Sequence, residues 1–365
     1  MALEPQPDPA LPSGEPDEGF PAAPAAVDAE GHNPWYLAYR RLRRNRLALA
    51  SLALFGLIVV FVLAAPLWAN HVAHTGPNTT HTTEKITVDG EKREVVDVEG
   101  KPIGPVWFGA GGRFFLGADS GLGRDEMVRL MYGGRTSLFI GLTSALITTV
   151  LATILGLLAG YYKGWTDGII TRTLDVIWSF PVVLLGIALG TALAVGGLKI
   201  GPLELSGNSI WIPILIIAVV YTPYMARPIR GEVLAMREKE FVESAVAQGA
   251  GSLRIMFGEL LPNLWSTVIV FFTLNIANNM LLEASLSFLG AGVQPPNSSW
   301  GKMVSLGTES IYTSPLLAFA PGILILLTVL SLNVFGDGLR DALDPRSKVR
   351  LTRAEAAESA AGGAI

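Results

Sequence analysis

Six segments of the sequence contain no Asp, Glu, Lys or Arg, and they constrain the fold more than any other feature. Each is close to the roughly 20 residues that a helix needs to cross the hydrocarbon core of a bilayer. Inside lipid the backbone must satisfy its own hydrogen bonds, so such segments are expected to be helical. The segments are residues 47–68, 136–162, 176–198, 209–226, 264–282 and 315–335. The sequence therefore predicts an all-α integral membrane protein with six transmembrane helices.

Composition supports a membrane protein and argues against an enzyme. Only 16% of the residues are charged, whereas about 25% is usual in soluble proteins. The chain has no cysteine, which excludes disulfides, thiolate metal sites and a cysteine nucleophile. It also has no G-x-x-x-x-G-K-[ST] phosphate-binding loop, so we expect neither ATP hydrolysis by that route nor a cofactor. His71, His74 and His81 suggest a metal, but they lack the compact ligand set of a tetrahedral site, and no metal is expected.

The start of the chain changes abruptly from acidic to basic. Residues 1–33 are rich in Pro, Ala, Asp and Glu and have no Lys or Arg, which is typical of a disordered tail. Residues 34–68 then join five arginines and the aromatic residues Trp35, Tyr36 and Tyr39 to the first apolar segment. This pattern is typical of a cytoplasmic boundary that contacts membrane lipid. No nucleic-acid partner is expected, because the apolar segment follows directly after the arginines.

The distribution of Lys and Arg predicts the orientation of the chain in the membrane. With the N-terminus inside, the inner segments and the C-terminal tail, 337–365, contain twelve Lys and Arg, whereas the two short outer loops contain only Lys199 and Lys302. The long outer loop, 69–135, has little weight in this rule because of its length. We therefore expect a multi-pass protein of the cytoplasmic membrane with both termini in the cytoplasm.

A polar stretch, 227–263, separates the fourth and fifth apolar segments and faces the cytoplasm in this orientation; we call it the elbow. Its first part, through Gln248, is rich in helix-forming residues. Gly249 and Gly251 then interrupt the helix, because glycine reaches backbone angles that other residues avoid. The sequence therefore predicts a helix that ends in a tight turn.

A second short helix is expected after this turn. Ser252 suits an N-cap, which predicts a helix over 253–261. Pro262 then suits the first turn of a new segment, where its missing N–H does no harm. A helix–turn–helix elbow of this kind could dock a partner protein.

The elbow resembles the EAA loop found in the membrane subunits of bacterial ABC importers. The resemblance is carried by Glu243, Ala245, Gly249, Leu261 and Pro262. In that family the loop is cytoplasmic, and its short coupling helix inserts into a groove on the ATPase subunit. The implied ATPase-coupling residues are Glu243, Ala245, Gly249, Gly251, Ser252, Arg254, Leu261 and Pro262. The sequence departs from the pattern at Ser244, where a second Ala is usual, and at Glu259, where Ile is usual.

The end of the long loop resembles the segment before the second crossing helix of peptide-importer permeases. The matching residues are Leu116, Gly117, Asp119, Gly123, Arg124, Asp125, Arg129, Gly133, Arg135, Ser137 and Leu138. We expect Asp119, Gly123, Arg124, Asp125 and Arg135 to form a structural outer rim rather than a substrate site. Within it, Asp119 and Asp125 are expected to pair with Arg124 or Arg129, although surface pairs contribute little stability.

The long loop also predicts two small elements. Residues 83–100 alternate around Asp-Gly, which supplies the positive φ angles of a tight turn and predicts an extracellular hairpin. Met127, Leu130 and Met131 would form one apolar face of a short helix on the membrane surface.

A third resemblance covers residues 283–301. Its E-A-S-L-S-F-L-G, G-V-Q-P-P and S-W-G runs are very similar to a segment of peptide and nickel importer permeases. Glu283 either lines the translocation pathway or braces the following loop, and both readings stay open.

Asn275, Asn278 and Asn279 are polar at membrane depth and must face protein or water. We expect them to line the pathway or to hold subunits together.

Two features describe how the membrane helices bend and pack. Pro181 should kink the third crossing helix, because proline removes a backbone hydrogen bond. Gly156 and Gly160 have the small-xxx-small spacing that permits close helix packing.

The three resemblances together imply a type I ABC importer permease core, with five helices over 136–336. The substrate class that they imply is short peptides. They also imply a second homologous permease, two ABC ATPase subunits that hold ATP and Mg²⁺, and an extracytoplasmic substrate-binding protein. Import of nickel or another small solute is the alternative within transport. An ion-coupled secondary transporter is a further alternative, but it would need buried coupling carboxylates and usually inverted repeats, which are not evident.

Overall fold

The computed structural model describes residues 34–88 and 90–343, and these are mostly helical. In chain order the helices are α1 Pro34–Arg44, α2 Arg46–Leu63, α3 Ala65–Trp68, α4 Glu126–Tyr162, α5 Gly164–Trp178, α6 Val182–Gly196, α7 Trp211–Arg237, α8 Glu240–Ala247, α9 Ser252–Arg254, α10 Leu261–Phe288, α11 Trp300–Thr308 and α12 Leu316–Leu343. Two π-helical segments, Ala69–Ala73 and Ile255–Leu260, follow α3 and join α9 to α10. The predicted acidic tail and residues 344–365 of the predicted C-terminal tail lie outside the described residues.

Five helical segments within the described ranges are long and apolar enough to cross a membrane, and a sixth crossing requires α5 and α6 together. These two helices meet at an angle of 86°, so the single helix predicted over 176–198 is wrong. Helix α5 ends at Trp178 and α6 begins at Val182. Pro181 accounts for the break, because proline lacks an N–H and forces the residue before it towards extended backbone. The kink predicted at Pro181 is therefore a sharp corner between two separate helices.

Helix α4 is one continuous helix of 37 residues that begins at Glu126. The prediction of a separate surface helix around Met127 is therefore wrong. Leu130 and Met131 are buried, and Leu130 belongs to the same apolar cluster as Trp300 of α11. No proline interrupts residues 126–162, so packing against α11 extends the membrane helix into the long loop.

Helices α4 and α7 approach each other closely near the C-terminal end of α4. A Cβ atom added at Gly156 would lie 2.7 Å from Cγ2 of Ile229, and one added at Gly160 would lie 2.7 Å from Cβ of Val233. Real Cβ contacts are never this short, so both positions require glycine. The close packing predicted from the spacing of these glycines is confirmed.

The hairpin predicted in the long loop is confirmed. Strand β1, Lys85–Val88, pairs antiparallel with β2, Glu91–Glu94, and Gly90 in the turn has a φ of +88°. The strands are shorter than the alternating pattern suggested. A small apolar core lies beneath them and consists of Ile86, Val88, Val95, Val106, Phe114 and Ala118.

A second hairpin lies between α6 and α7 and was not predicted. Strand β3, Leu198–Ile200, pairs antiparallel with β4, Leu203–Leu205. The predicted third crossing extended to Leu198, which is instead the first residue of β3. Gly201 provides the turn with a φ of +59°.

Candidate coupling surface and buried polar networks

The elbow contains a short helix held between two long ones. Helix α7 continues past the predicted end of its crossing to Arg237, and α8 occupies Glu240–Ala247. The single helix predicted through Gln248 is therefore two helices. They are separated at Lys239, whose backbone is extended. The elbow thus presents a separate eight-residue helix at the end of the bundle.

Gly249 closes α8 with a Schellman motif. Its N–H donates to the carbonyl of Val246 at 2.9 Å, and the N–H of Ala250 donates to the carbonyl of Ala245 at 3.0 Å. The φ of Gly249 is +80°, and an added Cβ would meet no atom within 4 Å. The backbone angle, not a lack of space, therefore requires glycine here. Gly251 has a φ of −71° and needs no such angle.

The second half of the elbow differs from the prediction. Gly251 rather than Ser252 is the N-cap, and Ser252 is the first helical residue. The helix then continues to Phe288, so the separate short helix expected over 253–261 is wrong. A π-helical segment ends two residues before Pro262. At that point the missing N–H of proline already interrupts the α-helical hydrogen-bond pattern.

The inner face of the elbow is packed into the bundle. The cluster that fixes it contains Val242 and Ala245 of α8, Ile255, Met256 and Leu260 of the following segment, and Ile229 and Val233 of α7. Two of the predicted coupling residues therefore face inward: Ala245 lies within this cluster, and the half-buried Leu261 packs against it. This apolar core sets the position of α8 relative to α7 and α10.

The remaining surface of the elbow is exposed and carries large apolar side chains. The predicted coupling residues on it are Glu243, Gly249, Gly251, Arg254 and Pro262, with Ser252 half-buried. Val246, Leu253 and Phe257 are 57%, 67% and 54% exposed. We define the coupling surface as Glu243, Val246, Leu253, Arg254 and Phe257. The sequence analysis missed its apolar members, although Leu253 and Phe257 have the four-residue spacing of neighbours on one helix face.

Two ion pairs hold the base of α7 against α5. The guanidinium of Arg230 donates from Nε and from a terminal nitrogen to the two carboxylate oxygens of Asp167, at 2.5 and 2.7 Å. Arg227 donates to the carboxylate of Asp175 at 2.8 Å. Paired bonds of the first kind fix orientation as well as distance. The elbow is therefore connected directly to the bent α5–α6 pair.

The predicted outer rim is built around the carboxylate of Asp119. It accepts hydrogen bonds from the backbone N–H of Arg124 at 2.7 Å and from its Nε at 2.6 Å. Nε of Arg129 lies 3.8 Å away, so the ion pairs expected for Asp119 are confirmed. Gly123 has a φ of +63° and donates its N–H to the carbonyl of Asp119. Asp119 and Arg129 are buried.

Asp125 has a different role from the one predicted. It is fully buried, and its carboxylate accepts the N–H groups of Val128 at 3.1 Å and Phe114 at 2.6 Å. Among the described residues it thus caps α4 and ties the long loop to it, and the expected arginine partner is wrong. Burial raises the pKa of the Asp125 carboxyl, and these N–H groups oppose that rise. Arg135 is exposed, with its guanidinium 5.5 Å from the ring centre of Tyr132.

Glu283 of α10 is fully buried in a network of hydroxyl groups. Oγ of Ser137 in α4 donates to one carboxylate oxygen at 2.9 Å, and Oγ of Ser287 donates to the other at 2.7 Å. The Ser137 hydroxyl accepts the N–H of Trp300 at 3.1 Å, and the Ser287 hydroxyl accepts that of Val293 at 3.0 Å. This arrangement favours a brace between helices over a group that lines the pathway.

The asparagines of α10 connect it to neighbouring helices of the same chain. Asn275 and Asn279 are fully buried and Asn278 is half-buried. The Asn279 amide lies 3.0 Å from Oγ of Ser144 in α4, and the Asn275 amide nitrogen lies 3.3 Å from Sδ of Met225 in α7. A lining role in the pathway stays a prediction.

A cleft of about 660 Å³ opens beside the elbow, between α7, α10 and α12. Its lining combines polar side chains, including Glu232 and Arg340, with the aromatic ring of Phe271. Thr267 donates its hydroxyl to Glu232 across the cleft at 3.0 Å. The sequence analysis did not identify this cleft, because its walls come from three distant parts of the chain.

Two known families match the chain. Residues 152–349 match the family described as binding-protein-dependent transport system inner membrane component. The chain belongs to this family. Residues 33–83 of this permease also match the N-terminal TM domain of oligopeptide transport permease C.

Similar permeases cover nearly the whole chain. The chain is 35% identical to the glutathione transport system permease protein GsiD of Pectobacterium atrosepticum, over 89% of this chain and 95% of that protein. It is 35% identical to the dipeptide permease DppC of Alkalihalophilus pseudofirmus, over 87% and 91%. It is 33% identical to the oligopeptide permease OppC of Haemophilus influenzae, over 88% and 92%. A chain of the MetNI methionine ABC transporter matches with a TM-score of 0.49 and 17% identity, over 60% of this chain and 97% of that one.

These matches establish the general function. The protein is a permease subunit of an ABC importer and a multi-pass inner membrane component. Subunits of this family normally have no catalytic site of their own. An ion-coupled secondary transporter gains no support from any of these relatives.

Proposed function

We propose that this permease imports short peptides across the cytoplasmic membrane by alternating access. The support is that three relatives, each matching almost 90% of the chain, are named as glutathione, dipeptide and oligopeptide permeases. None of these three names includes nickel. Peptides are therefore the substrate class that we favour over other small solutes.

The proposed complex contains four kinds of subunit. This permease pairs with a second homologous permease, two ATPase subunits bind ATP and Mg²⁺, and an extracytoplasmic protein delivers the substrate. Both termini and the elbow lie in the cytoplasm, and the long loop lies outside. The orientation rests on the Lys and Arg of the inner segments, which outnumber those of the two short outer loops.

The observation that carries the proposal is the exposed coupling surface on a firmly packed base. Large apolar side chains grouped on a polar surface are typical of a protein contact. Val246, Leu253 and Phe257 provide such a group, and Glu243 and Arg254 add charges beside it. The buried face of α8 holds this surface rigidly, so a movement of the docked ATPase moves the helices as well.

Two connections transmit that movement into the membrane. The ion pairs of Arg230 and Arg227 join the elbow to α5. The continuous helix that starts at Ser252 joins it to α10. ATP-driven closure of the ATPases would displace both and open the pathway on the other side of the membrane. The cleft at Glu232 provides a polar surface on the cytoplasmic half of this route.

Removal of the apolar coupling surface tests the proposed docking. The double variant Leu253→Ser/Phe257→Ser should insert normally but lose co-purifying ATPase, as measured by mass spectrometry of a gently solubilised, tagged complex. Uptake should fall with it. Tyr312→Ser removes a fully exposed aromatic ring at the opposite end of the molecule and serves as the matched control. Retention of ATPase by the double variant would refute docking at this surface.

Substrate class needs a separate test. The complete complex, reconstituted with its binding protein in liposomes, should accumulate labelled di- to pentapeptides in an ATP-dependent manner. Nickel uptake in the absence of peptide uptake would refute the peptide proposal and leave the coupling proposal intact.

A further inference from the structure

Four aromatic side chains meet where the long loop contacts the end of the first membrane helix. The Phe115 ring is central, with centroid distances of 5.6 Å to Trp68, 5.1 Å to Trp107 and 5.0 Å to Phe108, all edge-to-face. We call Trp68, Trp107, Phe108 and Phe115 the aromatic patch. Trp107 and Phe108 are 53% and 71% exposed. The patch therefore presents a large apolar surface that nothing within the described residues covers.

The position of Trp68 places this patch at one edge of the membrane. At about 1.5 Å per residue, the helical stretch from Arg46 to Trp68 is about 33 Å long, close to the roughly 30 Å of a bilayer core. Its exposed apolar side chains recur at intervals of three and four and form a lipid-facing line: Leu57, Val60, Leu63 and Leu67. Leu67 ends this line beside Trp68, and the patch continues it.

The two sides of the long loop differ in polarity. Residues 104–112, which include Trp107 and Phe108, contain no charged residue. The hairpin strand β2, by contrast, has the sequence Glu-Lys-Arg-Glu and is exposed throughout. Trp and other aromatic rings are favoured at the boundary between lipid and water, whereas charged strands are favoured in water. The loop thus has one side suited to lipid and one suited to solvent.

The segment that carries the patch is held in a defined conformation. Trp107 and Phe114 have positive φ angles of 52° and 53°, which bulky residues rarely adopt without support from their surroundings. The N–H of Phe114 donates to buried Asp125. A Cβ added at Gly112 would lie 2.4 Å from Cγ1 of Val72, so the segment lies directly against the end of the first membrane helix.

We propose that the aromatic patch inserts into the lipid interface of the outer leaflet and anchors the long loop to the membrane. The patch widens the lipid-facing surface of the first helix, because the long loop places Trp107 and Phe108 close to Trp68. It holds the polar hairpin at a fixed height above the bilayer, where a soluble partner approaches. The assignment to the outer leaflet rests on the proposed orientation, whereas the contact with lipid does not.

The absence of cysteine from the chain permits a clean test. Phe108→Cys is labelled with an environment-sensitive fluorophore in the complete permease in liposomes. The matched control is Val98→Cys, because Val98 is 97% exposed in the same loop and lies between Asp97 and Glu99. We expect quenching by aqueous iodide to be several-fold weaker at position 108 than at position 98. Brominated phospholipids should quench the label at position 108 only.

Each other result overturns the proposal. Equal iodide quenching at both positions would show that the patch faces water. Protection from iodide without quenching by brominated lipid would show that protein covers the patch. If Phe108→Cys does not fold, Gly109→Cys, at an exposed neighbouring position without a positive φ, reads the same loop without loss of an aromatic ring, with the same expected pattern.

Discussion

The elbow and the outer rim both contain motifs of charged residues and glycine, but the two motifs are used in opposite ways. In the rim, Asp119 and Asp125 are buried and their carboxylates are occupied by contacts within the chain. In the elbow, Glu243 and Arg254 are exposed, and the buried residues are apolar, such as Val242, Ala245 and Ile255. The rim motif therefore stabilises this subunit, whereas the elbow motif leaves its polar groups available to another subunit.

This difference shows that a family motif does not indicate by itself whether its residues touch a partner. Whether a motif residue is buried within its own subunit or exposed decides whether it can touch a partner. The same comparison predicts that changes in the rim lower the stability of the permease, and that changes in the elbow lower transport while the permease stays folded.

The largest effect on stability is expected at Asp125. Asp125→Ala removes the N-cap of α4 and leaves the buried N–H of Phe114 without an acceptor. Together these losses should cost about 2–4 kcal/mol, which thermal unfolding of the purified permease would detect. Arg135→Ala changes an exposed rim residue and should cost about 0.5 kcal/mol or less. If Asp125→Ala unfolded at the same temperature as the wild type, the claim that the rim stabilises the subunit and the elbow does not would be wrong.

An intermediate effect is expected at Gly249. Gly249→Ala forces a side chain into left-handed geometry at a cost of about 1–2 kcal/mol, and α8 should relieve this strain by changing its orientation. Uptake should then fall several-fold while the complete chain stays folded. Gly251→Ala introduces the same methyl group at a negative φ, with open space around it, and should transport normally. Equal uptake by the two variants would mean that the position of α8 does not matter for coupling.

The smallest effect is expected at Glu84 in the long loop. Burial alone would raise the pKa of its carboxyl, but the ion pair with Arg113 at 2.8 Å and the contact with His81 hold this pKa below 4.5. A lowered carboxyl pKa means that the ionised group stabilises the folded loop at neutral pH, and that this gain is lost as the pH falls below about 4.5. The pair is partly exposed, so the gain is about 0.2–1 kcal/mol.

Hydrogen exchange of residues 83–104, corrected for intrinsic rates, would measure this gain. Glu84→Gln should exchange faster than the wild type at pH 7, and the two should converge once the pH has fallen through the lowered pKa of Glu84. A difference that persists in acid would contradict the assigned role of the carboxylate.

The sequence predicted the membrane helices, the Gly249 turn and the β1–β2 hairpin because each depends on a local pattern. Its treatment of proline was incomplete: the kink predicted at Pro181 is a break between two helices, whereas Pro262 lies in the first turn of α10, as predicted. Pro181 ends a helix, yet Pro223, Pro228 and Pro321 lie inside helices. All these prolines lack a backbone N–H, so whether the helix ends or continues at each of them depends on whether surrounding helices hold the chain straight. That information is not contained in the neighbouring residues.

The candidate site shows the same limit. Gly249 was predicted because its chemistry is local, and Glu243 because of a resemblance. Val246, Leu253 and Phe257 were missed because apolar residues in a membrane protein are usually assigned to a buried face. The two readings of Glu283 could be compared only when Ser137, which lies 146 positions away in the chain, was found at its carboxylate.

The uninterrupted helix from Ser252 to Phe288 has a mechanical consequence. Ser252 lies beside the coupling surface, and Glu283 lies in the brace at the far side of the bundle. Counted at about 1.5 Å per residue they are about 46 Å apart along the helix, and the π-helical segment before Pro262 lies between them. Because the helix is continuous through that segment, a displacement of its elbow end would be passed on towards Ser137 and Trp300, and the segment before Pro262 is where the helix would bend first. The proposed opening at the outer face then needs no other connecting element, since one continuous helix extends from the elbow to the brace.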